Sequence, residues 1–299
     1  MSREISAGAG KPYGLERVCR VLEFPRSTIY AQQARESTKV VPLRPQRRGP
    51  KPKLPDAELL AAIRADLEAS PFTGEGHRKV WARLRILRGI RVSRTRVLRL
   101  MRENALLSPH RRPQGVANLH DGTITTDHPN EMWGTDGIRI ETVDEGWVWV
   151  FSAVDHFDAC CVGIHTVKIG NRFAALQPIA QGLKTEFGAT SADAGRGLTL
   201  RMDHGTQYTA DDFLNQVKFW GIAPSFAFVA EPQTNGVAER FNRTLKEQAI
   251  HSRIFQNVEE VRVAVTEFKD RYNRHWRLEK LGFMSPLEAR QAYAIRKAA

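Results

Sequence analysis

Cysteine is scarce in this 299-residue chain: only Cys19, Cys160 and Cys161 occur. Two of them adjoin and the third lies far off, so no CxxC pair exists and neither a zinc ribbon nor a disulfide framework is expected. All three read as buried thiols in a reducing compartment. Long apolar runs are missing too. The longest, Trp147–Val154, is interrupted by Ser152 and falls far short of the roughly 20 residues that span a bilayer. The first residues, MSREISAGAGK, lack the apolar stretch of a signal peptide, so a soluble, intracellular protein with no membrane partner is expected. No heptad is sustained, which argues against a coiled coil.

Acid is scarce in the first part of the chain. Residues 1–120 carry 25 Lys and Arg against 10 Asp and Glu, whereas residues 121–299 carry 20 against 23. The net charge of +12 is therefore concentrated in the amino-terminal part. A basic half joined to a slightly acidic half points to a polyanion-binding module attached to something else.

The pattern divides the chain. Residues 1–12 are expected to be disordered. Residues 13–36 read as helix, turn, helix: LERVCRVLEF, Pro25, then RSTIYAQQAR, with Val18, Cys19 and Leu22 packing on Ile29. That is helix-turn-helix geometry, with Arg26, Thr28 and Tyr30 near a DNA-facing side. Residues 37–55 hold five prolines and six cations, among them Lys51 and Lys53, and read as an extended basic linker able to follow a phosphate backbone. Residues 56–107 form a second helical unit, with Asp56 and Ser93 placed as caps. Its last helix puts Val97, Leu98, Leu100 and Met101 on one arc and Arg96, Arg99 and Arg102 on the other; with Arg94 these arginines suit a duplex. Residues 108–130 read as a connector.

From Glu131 the pattern becomes α/β. Strands are expected at Glu131–Thr142, Trp147–Val154, Cys160–Lys168, Leu198–Met202 and Pro224–Val229. Helices are expected at Asn171–Phe187, Ala210–Trp220, about Thr234–Arg253 and Asn257–Trp276. The order fits a mixed five-stranded sheet with flanking helices over residues 131–276, followed by a tail over 277–299.

Three acids stand out. Asp136 lies inside the first strand, where a charge is costly. Asp203 ends the fourth strand, at the edge where α/β sheets place ligands. Glu239 sits one turn into an amphipathic helix, on the face of Arg243 and Lys246, opposite Val237, Phe241 and Leu245. Taken alone, that helix could equally be a solvated surface helix with ion pairs. If the first and fourth strands are neighbours, Asp136 and Asp203 can meet, and the Glu239 helix can add a third carboxylate. Convergent carboxylates repel, and all-oxygen ligands select hard ions such as Mg²⁺ or Mn²⁺ over zinc. Two such ions would serve in-line phosphoryl transfer. Asp155 and Asp158 lie after the second strand and read as turn acids, His204 as a loop histidine, Trp133 as core, and Gly205 and Gly236 as backbone-permissive positions.

WGTD at Trp133–Asp136, DHGTQY at Asp203–Tyr208 and NGVAERFNRTLK at Asn235–Lys246 resemble the DDE signature of retroviral integrases and bacterial insertion-sequence transposases. The 35 residues between Asp203 and Glu239 match that pattern, as does the Lys seven residues after the Glu. CRVLEFPRSTIY, FTGEGHRKVWARL, VSRTRVLRLMRENAL and YNRHWRLEKLGFMSPLEA are similar to OrfB-type insertion-sequence transposases, so the likeness runs over roughly Leu15–Ala289. The resemblance implies an RNase H-like core that nicks element ends and joins the freed 3′-OH to other DNA. It implies Asp136, Asp203 and Glu239 as metal ligands and Lys246 near the reacting end; Arg243 shares that face. It also implies a circular intermediate, element-end and target DNA as partners, at least a dimer on DNA, a possible upstream reading-frame product, and a bacterial, cytoplasmic, nucleoid-associated setting. The His/Cys module that opens retroviral integrases has no counterpart here, so no zinc is expected. A catalytically silent DNA-binding regulator and an RNase H-type nuclease or resolvase are the competing readings.

Overall fold

The computed structural model describes residues 3–37, 54–108, 125–227 and 235–298. Lys51 and Lys53 lie outside them, as do most of the expected linker and connector. The chain divides into two compact units, Met1–Lys53 and Leu54–Ala299.

In the first unit, residues 3–12 turn back on themselves through an isolated bridge between Ile5 and Pro12, where disorder was expected. Helices α1 (Leu15–Val21) and α2 (Arg26–Ser37) follow. Cys19 is buried and Ile29 half-buried, but Leu22 is 59% exposed, so the expected packing of Leu22 is not formed. Arg26, Thr28 and Tyr30 all lie on exposed surface.

The second unit opens with α3 (Asp56–Ala69), α4 (His77–Ile86) and α5 (Arg94–Glu103). Leu59, Ile63, Val80, Leu84, Val97, Leu100 and Met101 form their shared core. Ser93 caps α5, its hydroxyl accepting from the Arg96 N–H. Asp56 does not cap α3: Pro55 holds that position and Asp56 is the first helical residue. Arg83 lies buried between Asp66 and Glu75, bonded to both carboxylates. Buried charges survive only when paired this way.

The sheet comprises β1 (Met132–Thr142), β2 (Gly146–Asp155), β3 (Cys161–Val167), β4 (Thr199–Met202) and β5 (Ala223–Phe226). Its order is β3-β2-β1-β4-β5, antiparallel through the first three strands and parallel from β1 to β5. Alternation along β1 and β2 divides the core between two faces. Ile138, Ile140, Val148 and Val150 face α8 (Gly236–Leu245) and α9 (Val258–His275). Trp133, Phe151 and Ala153 face α6 (Arg172–Phe187) and α7 (Asp211–Phe219). Asn171 and Asn257 cap α6 and α9 with their side-chain oxygens.

Phe72, from the loop between α3 and α4, belongs to the apolar cluster under α8 and α9, edge-on to Trp276 with ring centroids 4.8 Å apart. Beyond Leu245 the helix widens into a π-helical turn, Lys246–Ile250. From it the Gln248 amide both accepts from the Thr73 N–H and donates to the Thr73 carbonyl. The three-helix unit and the α/β core are therefore one packed body.

Residues 277–299, expected as a tail, contain α10 (Pro286–Ala298). The Ser285 hydroxyl accepts from the Glu288 N–H, and the Glu288 carboxylate accepts from the Ser285 N–H. This is a capping box with proline at the first helical position. Arg277 adds a paired contact to the same carboxylate. Among the described residues no helix is long and apolar enough to cross a membrane.

Candidate active site

The parallel register of β1 and β4 ends with Gly134 opposite Arg201. Two residues further on come Asp136, inside β1, and Asp203, just past β4, so the strand pairing brings these acids to the same level of the sheet. Asp136 shares a strand face with Ile138 and Ile140, the face covered by α8. That helix carries Glu239 one turn from its start.

Two asparagines fasten α8 to β1. Asn242 donates to Asp136 Oδ2 (2.9 Å), while its own Oδ1 accepts from Ser152 Oγ (3.1 Å). At the start of α8, Asn235 donates to the Thr135 carbonyl (3.0 Å). Both asparagines are buried. The approach is close enough to require glycine in β1. A Cβ on Gly134 would stand 2.7 Å from Asn235 Oδ1 and 3.0 Å from His156 Nε2. The other Asp136 oxygen accepts from the Gly137 N–H (2.8 Å), and Asp203 Oδ1 accepts from the Gly205 N–H (2.9 Å).

Burial is the largest cause holding Asp136 above the ordinary carboxylate range; Asp203 adds to it, while Asn242, Gly137 and Lys246 oppose it. Glu239 is raised as well, by desolvation first, then by Asp136 and Asp203, against Arg243. Tyr208, fully enclosed beside the same acids, has its phenol pushed up by burial. Asp136 and Glu239 are thus each raised in part by neighbouring carboxylates.

Asp136, Asp203 and Glu239 together offer the oxygen donors a hard divalent cation takes, and such a cation would offset the repulsion that raises Asp136 and Glu239. The donor chemistry fits. The spacing is open: among the described residues no three of the His, Cys, Asp and Glu side chains stand close enough to form a ready-made cage.

Arg243 is exposed and Lys246 half-buried, both on the Glu239 side of the helix, while Phe241 and Leu245 are buried behind it. Arg94 is about half exposed, but Arg96 and Arg99 are not arrayed outward. Arg96 donates to Asp56 Oδ1 (2.8 Å) and to the Leu54 carbonyl, and Arg99 donates to Asp56 Oδ2 and Glu103. These pairs hold Asp56 below its usual range, chiefly through the Arg99 bond. The arc expected to face a duplex is in part a brace between α3 and α5.

Asp155 and Asp158 stand apart from the site. Arg290 of α10 donates to Asp155 Oδ2 (2.8 Å) and Asp158 Oδ2 (2.7 Å), and pairs with Glu186 (2.5 Å). Desolvation is the largest single influence on this guanidinium and lowers its pKa, yet Asp158, Cys160 and Asp155 together raise it. His204 stacks on Phe226 and bonds the Ala227 carbonyl. Gly205 and Gly236 adopt no positive φ, so the expected backbone role is absent; Gly205 instead lies tight against the Asp203 carboxylate. Trp133 is fully buried, as expected. Asn242, Asn235 and Tyr208 escaped the sequence reading. The available signal was an amide three residues after Glu239, at the border of the apolar stripe.

The "Integrase core domain" family is matched at residues 126–232, a second model of that description at residues 220–286, and an "HTH-like domain" at residues 55–114. The transposase for insertion sequence element IS629 of Shigella sonnei is 27% identical, over 94% of this chain and 93% of the relative. The transposase InsD for insertion element IS2A/D/F/H/I/K of Escherichia coli is 28% identical, over 71% and 72%. Among solved structures, the catalytic core domain of BIV integrase aligns at 19% identity and a TM-score of 0.40, over 57% of this chain and 99% of that one.

Proposed function

We propose that the chain, which is similar to insertion-sequence transposases and matches the integrase core domain, is a transposase of the DDE/integrase superfamily that binds its element's ends and catalyses metal-dependent strand cleavage and 3′-OH transfer. The observation that supports this reading is the parallel β1–β4 register, which runs to Gly134 and Arg201 two residues before Asp136 and Asp203, with the Glu239 helix bonded to Asp136 itself.

Asp136, Asp203 and Glu239 would hold Mg²⁺ or Mn²⁺, two ions in the full site. Such ions, when bound, supply nucleophile activation and charge neutralisation for in-line phosphoryl transfer. The chain's own residues do the rest. Asn242 and the Gly137 N–H fix the Asp136 carboxylate, so one ligand is oriented before any ion arrives. Arg243 and Lys246 grip the phosphate backbone beside Glu239. The two helical units supply the remaining DNA contact, Arg26, Thr28 and Tyr30 from the first and Arg94 from the second; Lys51 and Lys53 belong to the linker between them. Two ends must be held together, so at least a dimer works on DNA, with or without an upstream reading-frame product.

The test is a supercoiled plasmid carrying the element's ends, incubated with protein and Mg²⁺ or Mn²⁺. End-specific nicks followed by joined products are expected. Glu239→Gln should abolish nicking and leave end binding within a few-fold of the wild type. Binding without any nick would favour the regulator reading, and cutting without end preference the nuclease reading.

A further inference from the structure

The second helical unit carries a basic cluster contributed by α4 and α5, with His77 and Arg78 at the start of α4 and Arg94 at the start of α5. His77, Arg78, Arg94 and Arg102 are near enough that His77 is held below its ordinary value, first by partial burial and then by these three arginines. Into this cluster reaches one carboxylate from far along the chain. Arg78 Nη1 donates to Glu279 Oε2 (2.6 Å), and Arg94 Nη1 lies 3.4 Å from Glu279 Oε1. Each oxygen thus meets a different guanidinium. All three side chains are about half exposed. The neighbouring arginines differ: Arg83 is buried with Asp66 and Glu75, and Arg96 and Arg99 are tied to Asp56.

Glu279 is presented from a firm support. The next residue, Lys280, donates inward to the His156 carbonyl (2.9 Å). On either side, Trp276 packs on Phe72 and Phe283 on Trp81. A carboxylate bridging two guanidiniums has the charge sign and paired oxygens of a phosphodiester bridging the same groups. Half-exposed ion pairs contribute little, whereas a duplex phosphate gains from counterion release. The exchange therefore favours DNA.

We propose that Arg78 and Arg94 form a phosphodiester-binding site of the second helical unit, and that Glu279 fills it as a built-in competitor until duplex DNA displaces it. This rests on the DNA-binding reading above and adds its regulation. In the DNA-free chain Glu279 lowers the affinity of the helical unit for any duplex, so weak sites are screened out.

The test titrates the full chain into a labelled 24-base-pair duplex of arbitrary sequence, from about 50 to 200 mM salt, the range in which phosphate contacts dominate. Glu279→Gln is expected to bind roughly three- to tenfold tighter. Arg94→Gln is expected to bind more weakly, with a log–log salt slope shallower by about 0.9. In an Arg78→Gln/Arg94→Gln background the gain from Glu279→Gln should vanish, because the pairwise interaction is gone. Urea midpoints matching the wild type establish that each variant is folded, and Arg94→Gln gives an independent reading if Glu279→Gln is not. A wild type that binds no duplex would sink the DNA reading itself. A wild type that binds, with a Glu279→Gln titration overlaying it, or a gain that persists without the arginines, overturns this inference alone.

Discussion

At the scale of single residues, the acids stand out in the sequence and the side chains that hold them do not. Asp136 and Asp203 announce themselves because a charge inside a strand or at its carboxyl end is costly and so marks chemistry. Asn242 gives no such signal, since a polar residue at the edge of an apolar stripe is ordinary. Only the fold shows it bonded to both Asp136 and Ser152. Asn242→Ala leaves the buried Ser152 hydroxyl without that partner and frees the Asp136 carboxylate. Urea denaturation should show a loss of about 1–3 kcal/mol, and nicking should fall far more than DNA binding. His156 supplies a pH effect. Burial, then Lys280 and Arg201, depress it from 6.5 to about 4. The unfolded chain therefore takes up a proton that the folded chain refuses, and stability is lost as pH falls from about 6.5 towards 4. The loss is on the order of 2–3 kcal/mol. Denaturation curves for His156→Gln should be flatter than the wild type across that window; superimposable slopes would contradict the assignment.

At the scale of elements, most strands and helices of the α/β core lie within a residue or two of their expected ends, because period-2 and period-3.6 patterns are strong there; β5 stops at Phe226 instead of Val229, and the helix expected to reach Arg253 ends as α8 at Leu245. Two features escaped. The π-helical turn at Lys246–Ile250 has no local signature; it arises where Gln248 must reach Thr73. Helix α10 did carry one, the Ser285-Pro286-Leu287-Glu288 capping box, but its polar sequence masked it. The seat of α6 on the sheet makes a sharper prediction. A Cβ at Gly163 would fall 1.9 Å from the Pro178 carbonyl oxygen. No rotamer relieves a clash with backbone, so Gly163→Ala should cost about 3 kcal/mol, the upper part of the overpacking range, measured by urea denaturation. A change under about 0.5 kcal/mol would mean that helix and strand are less intimate than drawn.

At the scale of the whole molecule, charge suggests a seam near residue 120, whereas the compact units divide at Lys53 and Leu54. The second helical unit was expected as a separate module, yet Phe72 is 4% exposed inside the core cluster of the α/β fold. Contacts between segments so far apart in sequence leave no trace in composition. Phe72→Ala should therefore destabilise helical unit and core together by about 3–5 kcal/mol, as one cooperative transition seen by both far-ultraviolet circular dichroism and tryptophan fluorescence. Separate transitions would restore the two-module picture. The sheet's margins bear on how copies meet. Along β3 the Asn273 amide accepts from the Cys161 N–H and donates to its carbonyl, and Gln181 accepts from the Ile164 N–H. At the other margin β5 is four residues long and includes Pro224, which has no N–H to offer. Each border is thus blunted against extension by a foreign strand. A chain whose sheet margins are closed in this way resists the fibrous association that an open sheet invites, even at high local concentration.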